Sequence, residues 1–112
     1  MATVRSLVKS IQQEVVTGKL HPERASQLLL QASALLGNCA EEIREADAAY
    51  AHVLLAILDS EKKANRAKIR AETTQEYQRK REARDTRELL VEIVGSLKYC
   101  LRAAEAEMRL SR

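Results

Sequence analysis

Few residues in this 112-residue chain have side chains suited to catalysis or metal binding, and their spacing forms no known site. His21 and His52 share no pattern. The acidic pairs at 41–42 and at Glu105 and Glu107 lack the Glu-x-x-His partners of metal sites in helical bundles. No glycine-rich phosphate loop is present. We therefore predict a protein that is not an enzyme, with no catalytic residue, cofactor or metal ligand.

The two cysteines, Cys39 and Cys100, fit neither a metal-ligand spacing nor a disulfide framework. Each lies on the apolar face of a helical pattern, which predicts small buried thiols in a reducing compartment. A disulfide is the alternative interpretation, because a helical hairpin hinged near residue 72 would bring both cysteines to the same end.

Basic residues are concentrated between positions 62 and 87, where ten of them stand against four acidic residues. The whole chain carries a formal charge of only +3, so the remainder is net acidic. One interpretation is salt-sensitive, sequence-independent contact with nucleic-acid phosphates or an acidic partner. The other is a solvated stalk in which acids offset bases one helical turn away. The residues predicted for the contact are Lys62, Lys63, Arg66, Arg70, Arg79, Lys80, Arg81 and Arg84.

The only aromatic residues are three tyrosines. Tyr50 and Tyr99 lie on or beside apolar helical faces, so we expect both to pack inside the protein. Tyr77 lies among arginines and lysines and is expected to be exposed, where its ring could stack on a base.

The composition favours an all-α fold, since alanine, leucine and charged helix formers dominate and Trp and Phe are absent. An apolar face from Val4 to Val16 predicts a first helix that ends at residues 17–18. Pro22, followed by Glu23, predicts the start of a second. Gly37 and Asn38 are expected to end that second helix. These elements form a predicted N-terminal helix pair, residues 1–38.

Residues 39–112 predict a long antiparallel helical hairpin that resembles a coiled coil. Apolar residues recur at spacings of three and four on two arms, 39–72 and 90–108. Thr73 and Glu76 have the spacing of a capping box, so the hinge is placed at 71–74, with the basic segment at the tip. Together with the helix pair it makes one domain, residues 1–112. The core or self-association seam is predicted to contain Tyr50, Val53, Ile57, Leu90, Val94, Leu97 and Leu101.

Each arm has more apolar surface than one neighbour covers, because Leu54, Leu55 and Leu58 flank one seam and Ile93 flanks the other. We therefore expect a homo-oligomeric helical bundle. Gly95, inside a helix, is expected to mark a close approach of two helices.

Charged residues interrupt the N-terminal apolar pattern, so no signal peptide is predicted. No apolar run approaches the roughly 20 residues that span a bilayer. We expect a soluble, cytoplasmic protein that does not bind membranes.

Residues 72–110, with TTQEY at 73–77 and GSLKYCLRA at 95–103, resemble small helical-hairpin proteins of tailed bacteriophages. The sequence DAAY at 47–50 resembles the same proteins. The resemblance implies a phage or prophage setting, in the host cytoplasm, and an accessory role in phage DNA metabolism or host modulation. It assigns no functional residues.

Three functions are therefore considered. The first is a non-enzymatic, oligomeric helical interaction protein that binds itself or a protein partner. The second is a nucleic-acid-binding accessory protein that uses the basic segment. The third is a small helical inhibitor of a host or defence protein.

Overall fold

A computed structural model describes residues 3–110, and it is all-α over that range, as predicted. The helices are α1, Val4–Val16; α2, Pro22–Ser60; α3, Ala64–Ala71; and α4, Gln75–Leu110. The predicted domain ends, residues 1–2 and 111–112, lie outside the described residues. The described part is elongated, with extents of 72 × 28 × 21 Å.

The first two helices begin at Val4 and Pro22, as predicted. Thr3 Oγ1 accepts a hydrogen bond from the Ser6 amide, and Ser6 Oγ accepts one from the Thr3 amide, which satisfies two N–H groups at the start of α1. Gly18, at φ 79°, adopts the left-handed conformation that lets the chain turn after α1. Pro22 then opens α2, with Glu23 in its first turn.

Gly37 and Asn38 do not end the second helix, so the predicted division into a helix pair and a hairpin at residue 38 is wrong. α2 continues through both residues to Ser60. Leu35 and Cys39, on either side, are buried in the same hydrophobic cluster. Because a continuous helix keeps both on the core face, their burial outweighs the cost of about 1 kcal/mol for a glycine in a helix.

The first arm is also not continuous to residue 72. Its helix ends at Ser60, and Glu61 and Lys63 have extended backbone angles. α3 then packs back against α2. Arg70, in the last turn of α3, forms an ion pair with Glu61 at 3.7 Å. The chain therefore reverses direction at residues 61–63, and not at the predicted hinge.

A boundary between helices does lie at 71–74. It separates α3 from α4, which both follow the reversal and together form the returning limb of the hairpin, residues 64–110. The predicted capping box of Thr73 and Glu76 is not formed, and the side-chain cap lies one residue later, at Thr74. Thr73 Oγ1 donates to the Arg70 carbonyl, whereas Thr74 Oγ1 accepts from the Tyr77 amide at 3.3 Å. Thr74 is thus the residue that caps α4.

α2 and α4 run in opposite directions along most of their length. Tyr50 contacts Tyr77, and Asp47 accepts a hydrogen bond from Arg84, so higher numbers on one helix meet lower numbers on the other. α1 packs on both helices at the end away from the reversal. The molecule is therefore three helices thick at that end, the base, and two helices thick at the reversal, the distal end.

The main hydrophobic cluster lies in the three-helix base. It draws buried side chains from α1, from the N-terminal half of α2 and from the middle of α4: Val8, Ile11, Ala25, Leu28, Ala32, Leu35, Cys39, Leu90, Ile93 and Leu97. Near the reversal the buried side chains are small, chiefly Ala67 and Ala71. This distribution follows from thickness, because a pair of helices can bury only one narrow seam between them.

Gly95 does not mark a close approach of two helices within the chain, contrary to the sequence prediction. A Cβ atom built on it would meet nothing within 4 Å. Among the described residues, no helix has the length and apolar character needed to cross a membrane.

Candidate functional site

The seam residues predicted from the heptad spacing belong mainly to the interior of the protein. Leu90 and Leu97 are fully buried, and Tyr50 is 9% exposed. Val53, Ile57, Val94 and Leu101 are half-buried. The buried members stabilise the single chain and present no surface to another protein.

Three of the predicted basic contact residues form ion pairs, two with acids of α2 and one with an acid of the reversal. Arg84 lies 2.8 Å from Asp47. Arg79 lies 3.5 Å from Glu45. Arg70 forms the third pair, with Glu61, described above. These side chains are largely exposed, so the pairs contribute little stability. They do neutralise part of the predicted nucleic-acid surface.

A fourth basic residue, Lys80, lies over an aromatic ring. Its Nζ is 4.5 Å from the centre of the Tyr50 ring, a cation–π distance. The same ring packs against Tyr77, with 5.5 Å between ring centres. Burial, followed by the Glu72 carboxylate and Tyr77, raises the pKa of the Tyr50 hydroxyl.

The predicted environments of Tyr77 and Tyr99 are both wrong. Tyr77 is half-buried against Tyr50, because the reversal at 61–63 brings these two residues opposite each other, which a hinge at 71–74 would not do. Tyr99 is 74% exposed, because it points away from the core that Leu97 enters.

The other four predicted contact residues remain exposed and form no ion pair within residues 3–110: Lys62, Lys63, Arg66 and Arg81. The first two lie at the reversal and Arg66 begins the returning limb. Arg81 lines a shallow cleft beside Glu82 and Asp85. Because the basic segment runs from the reversal along α3 and into α4, it extends for about 38 Å and is not gathered at a tip.

A cleft of about 230 Å³ lies where α1 crosses α2 and α4. Arg5 Nη1 donates to Thr86 Oγ1 at 3.1 Å, and that hydroxyl donates to the Glu82 carbonyl at 2.7 Å. Thr86 is buried, so Arg5 satisfies a polar group inside the interface. The sequence does not reveal this contact, because the two residues lie 81 positions apart.

Cys39, which lines this cleft, is buried as predicted, whereas Cys100 is exposed and the prediction for it is wrong. Both thiols are free. Burial raises the pKa of Cys39, and so does the Glu42 carboxylate, against an opposing effect of Arg87. A raised pKa leaves a thiol protonated and poorly nucleophilic. Cys39 packs in the cluster with Leu90, and Cys100 lies about 15 Å further along α4, beyond disulfide distance.

An exposed surface with a regular pattern lies on α2, on the side opposite the core. We call it the outer α2 face. Its residues are all exposed and follow one another at alternating spacings of four and three: Leu30, Ala34, Gly37, Glu41, Arg44, Ala48, Ala51, Leu55 and Leu58. This spacing is a heptad seam. Its signal was present in the sequence, but the predicted helix end at Gly37 and Asn38 divided it.

Within residues 3–110 no three His, Cys, Asp or Glu side chains lie close enough together to hold a metal ion. No protein-family model, curated protein or solved structure matches the chain.

Proposed function

We propose that this chain is a non-enzymatic helical interaction protein that assembles with itself through apolar surface left exposed by its own fold. The observation that supports the proposal is the apolar surface of α2 near the reversal. Leu55 is 62% exposed and Leu58 is 39% exposed, and Leu54 beside them is only half-buried. Large apolar side chains clustered on one helix face mark contact sites more often than single ones do.

The elongated shape explains why this surface stays uncovered. Among residues 3–110, α1 contacts α2 and α4 only at the base, so α2 has α3 and α4 on one side near the reversal and no neighbour on the other. A second molecule can supply the missing neighbour without any change in the monomer. We extend the proposal to an accessory role in a phage or prophage setting, for which the resemblance at residues 72–110 is the support.

Light scattering across a dilution series tests self-association. We expect a mass above the monomer's 12.6 kDa at high micromolar concentration. Replacing both Leu55 and Leu58 by glutamate should reduce that mass to the monomer value while circular dichroism shows unchanged helix content. A monomer at every concentration would refute the proposal.

A second candidate function, binding of nucleic acid, is favoured by the three basic residues at and just after the reversal. Lys62, Lys63 and Arg66 are exposed and have no acidic partner among the described residues. They are free to contact phosphates, unlike the arginines paired with α2. An inhibitor of a host or defence protein is a third alternative, and no contact among residues 3–110 supports it.

Fluorescence anisotropy with labelled duplex DNA distinguishes the second candidate. Reversing Lys62, Lys63 and Arg66 to glutamate should abolish binding and its salt dependence. The matched control reverses three exposed basic residues at the base, Lys98, Arg102 and Arg109, and should leave more of the binding intact. Absence of DNA binding by the unaltered protein at low salt would exclude this candidate.

A further inference from the structure

We propose that the outer α2 face binds the same face of a second copy, with the two α2 helices antiparallel and related by a two-fold axis between positions 42 and 43. This inference rests on the proposed self-association and specifies its interface. The partner is thus another molecule of this chain.

The order of residues along the outer α2 face is the first argument. From Leu30 to Leu55 the spacings are four, three, four, three, four, three, four, which read the same in both directions. A two-fold interface requires this property, since each residue must meet its counterpart from the opposite end. The opposed pairs are Leu30 with Leu55, Ala34 with Ala51, Gly37 with Ala48, and Glu41 with Arg44.

Charge complementarity is the second argument. Neither Glu41 nor Arg44 has an ion-pair partner within residues 3–110. In the antiparallel pair each meets the opposite charge, twice, at the centre of the interface. A parallel pair would instead place like charges together. Shifting the antiparallel pair by one heptad would leave both charges against alanine or glycine. Polar pairs in an apolar seam are known to fix orientation and register in this way.

Residue size is the third argument. The positions next to the central charges are small, which lets two helix backbones approach closely. Gly37 is the clearest case, because a Cβ atom there would meet no atom of residues 3–110 within 4 Å. A glycine destabilises a helix interior relative to alanine. No contact among residues 3–110 explains why position 37 is a glycine. Opposite Ala48 of a second α2 helix it permits close contact.

The surface is also available without rearrangement. Leu28, Leu35 and Cys39, which enter the core, lie on the other side of α2. α1 and α4 therefore stay in place when the outer α2 face is covered. The overlap from Leu30 to Leu55 is about 38 Å long, enough for an extended helix pair.

A charge-exchange experiment tests the interface. Glu41→Arg and Arg44→Glu should each reduce the light-scattering mass from about twice 12.6 kDa to the monomer value. Mixing these two variants should restore the doubled mass, because each supplies the charges that the other lacks. The double variant Glu41→Arg/Arg44→Glu should dimerise alone. Failure of both the mixture and the double variant to associate would overturn the interface.

A size experiment tests the same interface without changing charge. Gly37→Leu should abolish the dimer while the helix content stays constant, since leucine favours helix. The matched control, Gly95→Leu, places the same side chain at an exposed glycine of α4 and should dimerise normally. A dimer that survives Gly37→Leu and both charge reversals would overturn this interface but leave self-association standing. A monomeric unaltered protein would overturn both.

Discussion

Leu97 offers the sharpest test of where the core lies. Its side chain is fully buried in the three-helix base. Replacement by alanine removes three carbon atoms, which costs roughly 2.4 kcal/mol at about 0.8 kcal/mol each. The unfilled cavity adds to this, so we expect the free energy of unfolding to fall by about 3 kcal/mol. That loss is a large share of the total of about 5–15 kcal/mol for a domain of this kind.

Urea denaturation followed by circular dichroism measures this change, at one fixed protein concentration because association also contributes to stability. The matched control is Leu110→Ala, at a leucine that is 87% exposed, where we expect a change within about 0.5 kcal/mol. A loss below about 1 kcal/mol for Leu97→Ala would refute its placement in the core. So would a variant of unchanged stability that no longer associates.

Three further predictions concern single sites. In the folded protein, iodoacetamide should modify the exposed thiol of Cys100 rapidly and the thiol of Cys39 only slowly, because Cys39 is buried and its pKa is raised. Mass spectrometry of the peptides measures the two rates. Equal rates would show that Cys39 does not lie in the core. Gly95→Ala should raise the free energy of unfolding by about 1 kcal/mol in urea titrations, because the added Cβ meets nothing; a decrease would indicate an unseen close contact. The hydrogen bond from Arg24 lowers the pKa of the Glu14 carboxyl group in the folded protein below its ordinary value of 4.5. The ionised carboxylate therefore stabilises the fold fully above pH 4.5, and this stabilisation is lost as the pH falls through the lower pKa of the folded state. Glu14→Gln should therefore reduce the loss of stability in that acidic range, and an unchanged pH profile would contradict the pairing.

The fold class and several helix ends could be predicted because they depend on local chemistry. Composition alone predicts an all-α protein. The end of α1 at residues 17–18 and the start of α2 at Pro22 follow from glycine and proline, whose backbone preferences hardly depend on the rest of the chain.

The helix ends that were predicted wrongly depend on contacts between distant residues. Gly37 has a weak local preference to end a helix, but Leu35 and Cys39 enter one core and require the helix to continue. At 61–63 there is no glycine or proline, so the sequence shows no turn. The reversal depends on the packing of α3 against α2. Helix propensity is a local property and gives no information about that packing.

The candidate surfaces were predictable only in part. Clusters of basic residues are visible in the sequence, but which of them form ion pairs depends on which residues of α2 and α4 lie opposite each other. A reversal at 61–63, instead of the predicted hinge at 71–74, changes which residues of the two helices lie opposite each other. It brings Arg79 and Arg84 against acids of α2. The outer α2 face was hidden by the same error that ended the second helix at Gly37.

The distance between two spin labels, one on each molecule of a pair, tests the proposed assembly most directly. The label is attached at Ser60→Cys, at the end of α2, in a chain whose exposed Cys100 is replaced by serine. With the two-fold axis between positions 42 and 43, the two labels should lie about 50 Å apart along the helices. A separation below about 25 Å would show a parallel pair, since neighbouring helices pack 8–10 Å apart. That result, or the absence of any dipolar signal at high micromolar concentration, would contradict the antiparallel assembly.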